Sequence, residues 1–328
     1  AREGRPGPVL IDLPLDVQMA DIPYDPAADA PLPVAVPGPD PAQIARAVDM
    51  LLAAKNPVLI MGGGVLLSEA AKRLVAFAEY LSLPVITTYM ATGGIPADHP
   101  LHVGHIGIQV GSPFGNQFFL ESDLVLGIGN RFNDRHTGRL DVYTRGRTFI
   151  HANIDPAHIG RIVPTALGIA SDAGLALDAL LTEARSRTAP RPPSERVRQI
   201  PARRAAMARR TDYDQVPIKP QRVYQEMNDY FGPDTMVTTG CGLTQIWSGQ
   251  FQQGSGPRTY LPSVAVPGLA RSVTTCPPPS APRSRGRRLR PWPWSATAAL
   301  ASPSRSWPWP ASSASRSSSS SSTTATSA

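Results

Sequence analysis

Through the middle of the chain, short continuous apolar runs alternate with longer stretches in which apolar positions recur every third or fourth residue. The runs PVLIM (57–61), PVITT (84–88), LVLGI (124–128), TFIHANI (148–154) and ALGIA (166–170) predict strands. Ahead of the first, Asp40 is a capping residue and Pro41 a helix starter, after which Ile44, Val48, Leu51 and Leu52 fall on one helical face. Further helices are predicted near 68–82, 112–122, 156–163 and 172–187. Strands apolar on both faces, separated by amphipathic helices, predict an α/β fold over about 36–188: a doubly wound parallel sheet covered on both sides.

The flanks differ. GPVLIDL (7–13) predicts a strand, and the stretch from Pro14 to Pro39, with seven prolines, predicts a linker passing between domains. The chain opens without Met on AREGRPGPVLIDLP, which runs straight into that strand and reads as the inside of a domain. Ser186 to Arg210, rich in Arg, Ala and Pro, predicts a linker plus an exposed helix whose arginines form a solvated face. A helix from Pro220 through Tyr230, a strand TMVTT (235–239) and a turn GCGLTQ (240–245) then open another unit.

From Val264 to Ala328 the composition changes: eight Arg, four of the five Trp, and no acidic residue or Lys. Repeated PWPW and a serine run from Ser317 to Ser322 offer no periodicity on which a core could form, so disorder is expected there. Back-translated with GC-rich codons and read out of register, PWPWSATA becomes VAVVGDG, an apolar strand ending in an acidic glycine turn. A frameshift near Ser263 is therefore expected. The tail also accounts for the formal net charge of +7, since without its arginines 24 basic residues face 25 acidic ones, a net of −1. No nucleic-acid partner is expected on that basis.

Cys241 and Cys276 have neither metal-ligand nor redox spacing, and the cytoplasm is the expected compartment. No apolar stretch approaches the ~20 residues that span a bilayer, so no membrane partner is expected.

In a doubly wound sheet, ligands bind beyond the carboxyl ends of the strands. The predicted ends carry Gly62, Gly63 and Gly64; Thr88, Tyr89 and Met90; Gly129, Asn130 and Arg131; Asp155; and Ser171, Asp172 and Ala173. Glycines allow a backbone to approach a phosphate or ring closely, Arg131 offers charge to a diphosphate, and Asp155 offers a carboxylate to a ribose hydroxyl. Together they suit a dinucleotide. Taken singly, the three glycines also read as a turn, Arg131 as a surface ion pair and Asp172 as a helix cap. His102, His105, His136, His151 and His158 form no paired motif with a carboxylate at ligand spacing, so no metal site is expected from them. His136 reads as a loop residue beside the cofactor. No Ser or Cys sits in a nucleophile elbow or triad context.

The strand ends GGG, TTYM, GNRFNDRHTG, NIDPAHIGR and SDA, with GPVLIDLPLDVQ before them and VPIKPQRVYQEM and GCGLTQIW after, resemble the glyoxylate carboligase (tartronate-semialdehyde synthase) family of thiamine diphosphate enzymes over about residues 5–263. The large subunit of acetolactate synthase is a close alternative, and a non-catalytic nucleotide-binding module a more distant one. The resemblance implies the end of an aminopyrimidine-binding domain (1–20), a linker (21–35), a central FAD-binding domain (36–188), a second linker (189–214), the start of a thiamine diphosphate-binding domain (215–263) and the tail (264–328). It implies FAD contacts at Gly62, Gly63, Gly64, Thr88, Tyr89, Met90, Gly104, His105, Gly129, Arg131, Arg135, Asn153, Ile154, Asp155 and Asp172. Gly242, Leu243 and Thr244 are implied beside thiamine diphosphate. The family reaction joins two glyoxylates with loss of CO2 to give tartronate semialdehyde, in a homo-oligomer, with FAD bound but doing no net redox work. The acidic turn and downstream Asn that hold Mg2+ and diphosphate in the family occur only in the shifted frame, and most of the first domain is missing ahead of Ala1. The chain alone is therefore expected to be inactive, with FAD the one cofactor retained.

Overall fold

A computed structural model describes residues 3–26, 33–231, 235–240, 242–254 and 256–262. In chain order, the first part contains α1 (Leu15–Gln18), α2 (Pro41–Ala53), β1 (Pro57–Met61), α3 (Gly63–Leu67), α4 (Ala71–Leu81), β2 (Val85–Thr87), β3 (His102–His105), α5 (Pro113–Leu120) and β4 (Leu124–Ile128). There follow α6 (Asp134–Thr137), α7 (Leu140–Thr144), β5 (Thr148–Asn153), β6 (Leu167–Ala170) and α8 (Ala173–Arg187). Last come α9 (Glu195–Arg198), α10 (Ile200–Ala206), α11 (Pro220–Tyr230), β7 (Val237–Thr239), α12 (Leu243–Phe251) and β8 (Tyr260–Pro262).

The first six strands form one parallel sheet in the order β3-β2-β1-β4-β5-β6. Leu59 of β1 sits opposite Val85 on one side and Leu126 on the other. Both β1 and β4 are almost entirely buried, which is why their sequences show no polar alternation. Helices start where the sequence offers caps: Asp40 accepts from the Ala42 N–H, Ser112 from Gly115, and Asp172 from Gly174 and Leu175. Helices α2, α4 and α8 pack together, while α5 lies against β3 and contributes the fully buried Phe114, Phe118 and Phe119.

Several expectations are corrected. Residues 7–13 form no strand: Val9, Leu10, Ile11 and Leu13 are exposed, and no described strand pairs with them. The helix expected over 156–163 is a single 3-10 turn, Pro156–His158, because Gly160 adopts a left-handed φ of +72° soon after it. Strand β3 adds a sixth member that the apolar pattern did not announce.

Of the arginines after α8, Arg198 and Arg210 are exposed, but the others do not form a solvated face. Val197 and Ile200 are buried in the core, the Arg196 guanidinium lies 3.6 Å from the Phe118 ring centre, and Arg203 holds Glu121 at 2.6 Å. Arg204 donates to the carbonyl of His102 at 2.7 Å and Arg209 to that of Gly111 at 3.2 Å. Guanidinium forks thus satisfy carbonyls along the β3 edge and anchor this segment.

Strands β7 and β8 pair in parallel across α12, and α11 packs on α12. Cys241, Ser263 and the tail lie outside the described residues.

Candidate dinucleotide site at the strand tips

The strand order reverses between β1 and β4, and a crevice for a dinucleotide is expected at such a reversal. The loops leaving these two strands meet there directly. The Gly62 N–H donates to the Ile128 carbonyl at 2.8 Å, and the Gly64 N–H to the Gly129 carbonyl at 2.9 Å. A Cβ on Gly62 would lie 2.3 Å from the Gly129 oxygen, and one on Gly129, whose φ is +64°, would lie 2.8 Å from the Gly64 Cα. Three of the glycines named from sequence are therefore required by one loop's approach to the other. Gly63 instead abuts Met90, whose side chain is 45% exposed beside it.

Strand β5 stiffens the tip of β4. His151 Nε2 donates to the Asn130 carbonyl at 2.9 Å, and Asn153 Nδ2 to the same oxygen at 2.8 Å. Burial lowers the His151 pKa, which keeps the ring neutral with its proton on Nε2. Asn153 Oδ1 accepts from the Asp155 N–H at 3.0 Å. The Asn130 side chain is itself buried, and neither of its amide atoms has a hydrogen-bond partner among the described residues. Such a group calls for an explanation, and a ligand supplies one.

The cations gather nearby. Burial and then the charges of Arg5 and Arg161 lower the Arg131 pKa, so both of those guanidinium groups lie within electrostatic reach of Arg131. Among the described residues, the side chains of Arg131, Arg135 and Arg161 have no carboxylate or hydrogen-bond partner. The surface ion-pair reading of Arg131 therefore does not hold.

Other named residues are occupied within the protein. Thr88 donates its N–H to Met61, and the Tyr89 hydroxyl meets Thr239 Oγ1 at 3.1 Å and Tyr260 at 3.1 Å. A Cβ on Gly104, whose φ is +123°, would lie 2.3 Å from the Ser112 hydroxyl. His105 Nδ1 meets Thr87 Oγ1 at 2.7 Å, and burial pushes its pKa down to about 4. Its neighbour His102 is pushed down to about 3, first by burial and then by His105. Asp155 caps the Pro156–His158 turn and pairs with His158 at 3.4 Å, with Ile154 half-buried just before it. Asp172 caps α8 and accepts from Ser68 Oγ at 2.8 Å. Gly242, Leu243 and Thr244 open α12 in the C-terminal unit, with Leu243 exposed and the Thr244 carbonyl accepting from Tyr224.

His136 is corrected outright. It is the buried end of α6, stacked on Phe132 and bonded through Nε2 to the Tyr143 hydroxyl at 3.1 Å, and burial pushes its pKa down to about 3. Sequence reasoning also overlooked Arg161, the role of His151, and the hydroxyl cluster of Thr239, Ser248 and Tyr260. The Arg161 in NIDPAHIGR was open to notice, whereas the hydroxyl cluster forms only when β7, α12 and β8 fold together against the distant Tyr89, which gives no local signal.

No group of three or more His, Cys, Asp or Glu residues able to hold a metal occurs among the described residues. No described helix is long and apolar enough to cross a membrane.

The parallel six-stranded sheet is an α/β architecture, and comparison gives it a likeness: residues 44–180 match the family described as thiamine pyrophosphate enzyme, central domain. Over 252 residues the chain is 48% identical to glyoxylate carboligase of Escherichia coli O157:H7, a match covering 76% of this chain and 42% of that protein. It is 40% identical over 266 residues to the acetolactate synthase large subunit of Corynebacterium glutamicum, covering 79% of this chain and 42% of the relative. A probable acetolactate synthase large subunit of Methanococcus aeolicus is 34% identical over 282 residues, covering 80% and 47%. The chain thus spans less than half the length of these relatives.

Proposed function

We propose that the central sheet binds FAD across the β1–β4 crevice and that the chain is part of a thiamine diphosphate-dependent decarboxylating carboligase acting on glyoxylate. The observation that carries the FAD reading is the group of unpartnered guanidinium side chains, Arg131, Arg135 and Arg161, around the tip of β4 beside the orphaned Asn130 amide. Guanidinium forks match phosphate oxygens, and an anion there would offset the repulsion that Arg5 and Arg161 exert on Arg131. Met90, exposed beside Gly63, offers an apolar contact to a flat ring.

When bound, thiamine diphosphate with Mg2+ supplies the electron sink for loss of CO2; Gly242, Leu243 and Thr244, at the start of α12, are the residues of this chain proposed to border it. Glyoxylate is favoured over the pyruvate of acetolactate synthases by the higher identity to the carboligase, 48% against 40%. Since a cofactor seated between two domains needs both, and the chain spans 42% of that relative, this chain alone is proposed to be inactive. The homo-oligomeric state and cytoplasmic location are proposed with the family.

Two assays test this. Purified chain incubated with FAD and desalted should retain a flavin absorbance band, and a colourless product would contradict the flavin reading. Supplied with thiamine diphosphate, Mg2+ and either glyoxylate or pyruvate, the chain should release no CO2 above background; measurable turnover would overturn the inactivity, and its preferred substrate would decide between the two relatives.

A further inference from the structure

At the amino-terminal edge of the sheet, opposite the strand tips, a cavity of about 60 Å³ is bounded by Lys55, Asn56, Ser82, Arg191 and Arg196 among others. Three separate segments meet there: the turn from α2 to β1, the end of α4, and the chain following α8. Two of the three cations, the Lys55 ammonium and the Arg191 guanidinium, make no hydrogen bond or ion pair among the described residues. The third, Arg196, donates through Nη2 to the Phe118 carbonyl at 2.8 Å, and only its Nε–H is buried without an acceptor. Its nearest carboxylate, Glu121, stands 3.8 Å away and is already gripped by Arg203 at 2.6 Å.

The other neighbouring carboxylate is also committed. Asp123 accepts the N–H groups of Lys55 and Asn56 at 2.8 and 2.9 Å, so its oxygens secure the turn that presents Lys55. The cavity is left with cations in excess and with a polar rim from the Asn56 amide and Ser82 hydroxyl. Lys55 and Arg191, which have no carboxylate partner among the described residues, are the groups an anion there would meet. The volume is far below the ~300 Å³ at which nucleotide-sized pockets begin, which leaves room for a compact ion.

We propose that this cavity binds a small tetrahedral oxyanion, inorganic phosphate or the terminus of a phosphomonoester, independently of the flavin reading. Bound there, the anion bridges the α2–β1 turn to Arg191, whose N–H already bonds the Tyr80 carbonyl at 2.8 Å. Occupancy then clamps the segment leading to α9 and α10 onto the sheet.

The test uses the full chain, with isothermal titration and thermal unfolding in sodium phosphate against sodium chloride of equal ionic strength. Saturable phosphate binding is expected, weakened at least tenfold in Lys55→Ala/Arg191→Ala and kept in Arg131→Ala. Neither Lys55 nor Arg191 makes a side-chain bond among the described residues, so the double variant should fold, and its unchanged FAD retention would separate this site from the strand tips. A methyl phosphate arm distinguishes the sources: equal binding assigns a phosphomonoester terminus, and binding of orthophosphate alone assigns the free ion. Absence of saturable binding, indifference to the double variant, or loss in Arg131→Ala would each overturn the proposal.

Discussion

Gly129 joins backbone conformation to position: its φ of +64° disfavours a side chain, and an added Cβ would press on Gly64 and Val65. Gly129→Ala should therefore destabilise the protein by about 1–3 kcal/mol or more, read as a drop in the urea midpoint; an unchanged midpoint would mean the loops separate easily. At the same scale, His102, His105 and His136 are held neutral, with pKa values pushed down to about 3, 4 and 3. The unfolded chain takes up protons on these rings near pH 6.5 while the folded chain does not. Stability is therefore full above that pH and falls as the pH drops toward 4, by up to ~1.4 kcal/mol per pH unit for each ring. Denaturant midpoints at pH 7.5 and 5.0 check this, and equal midpoints would contradict it. Individual residues were only partly legible in the sequence. Glycines mark a strand end locally, but the atoms they face, Gly129 for Gly62 and Met90 for Gly63, are set by the pairing of distant loops.

Among the elements, β1, β2, β4 and β5 were legible as apolar runs buried on both faces, and β6 as an apolar run at the sheet edge with Leu167 and Ile169 buried. Strand β3, with two histidines and a glycine in HVGH, was not: its apolar content is one valine, and it forms as an edge strand beside β2, with the Arg204 guanidinium on the carbonyls of His99 and His102. The segment carrying that arginine is seated by Ile200, fully buried on α10. Ile200→Ala should cost about 2–5 kcal/mol and increase protease cleavage between 188 and 210, whereas a mobile, solvated linker would show neither effect. Composition alone missed this docking because an Arg-rich stretch looks the same whether its guanidinium groups meet water or carbonyl oxygens.

For the molecule as a whole, the parallel doubly wound class follows from alternating strands and helices, and so the strand ends expected to carry the ligand could be named before the structure, although the strand order could not. The contents of the crevice could not. Of the groups named there, the side chains of Asp155 and Asp172 cap helical turns, and the Tyr89 hydroxyl joins Tyr260, itself bonded to Ser248, tying the β2 tip to the C-terminal βαβ unit. Arg131 and Arg135 remain available, joined by the unanticipated Arg161. The most direct measurement is a titration of the chain and of Arg131→Ala/Arg161→Ala with FAD, followed by flavin fluorescence. The account predicts saturable binding weakened at least tenfold in the double variant, a loss of about 1.4 kcal/mol or more. Equal affinity in the two proteins, or no binding by either, would contradict it.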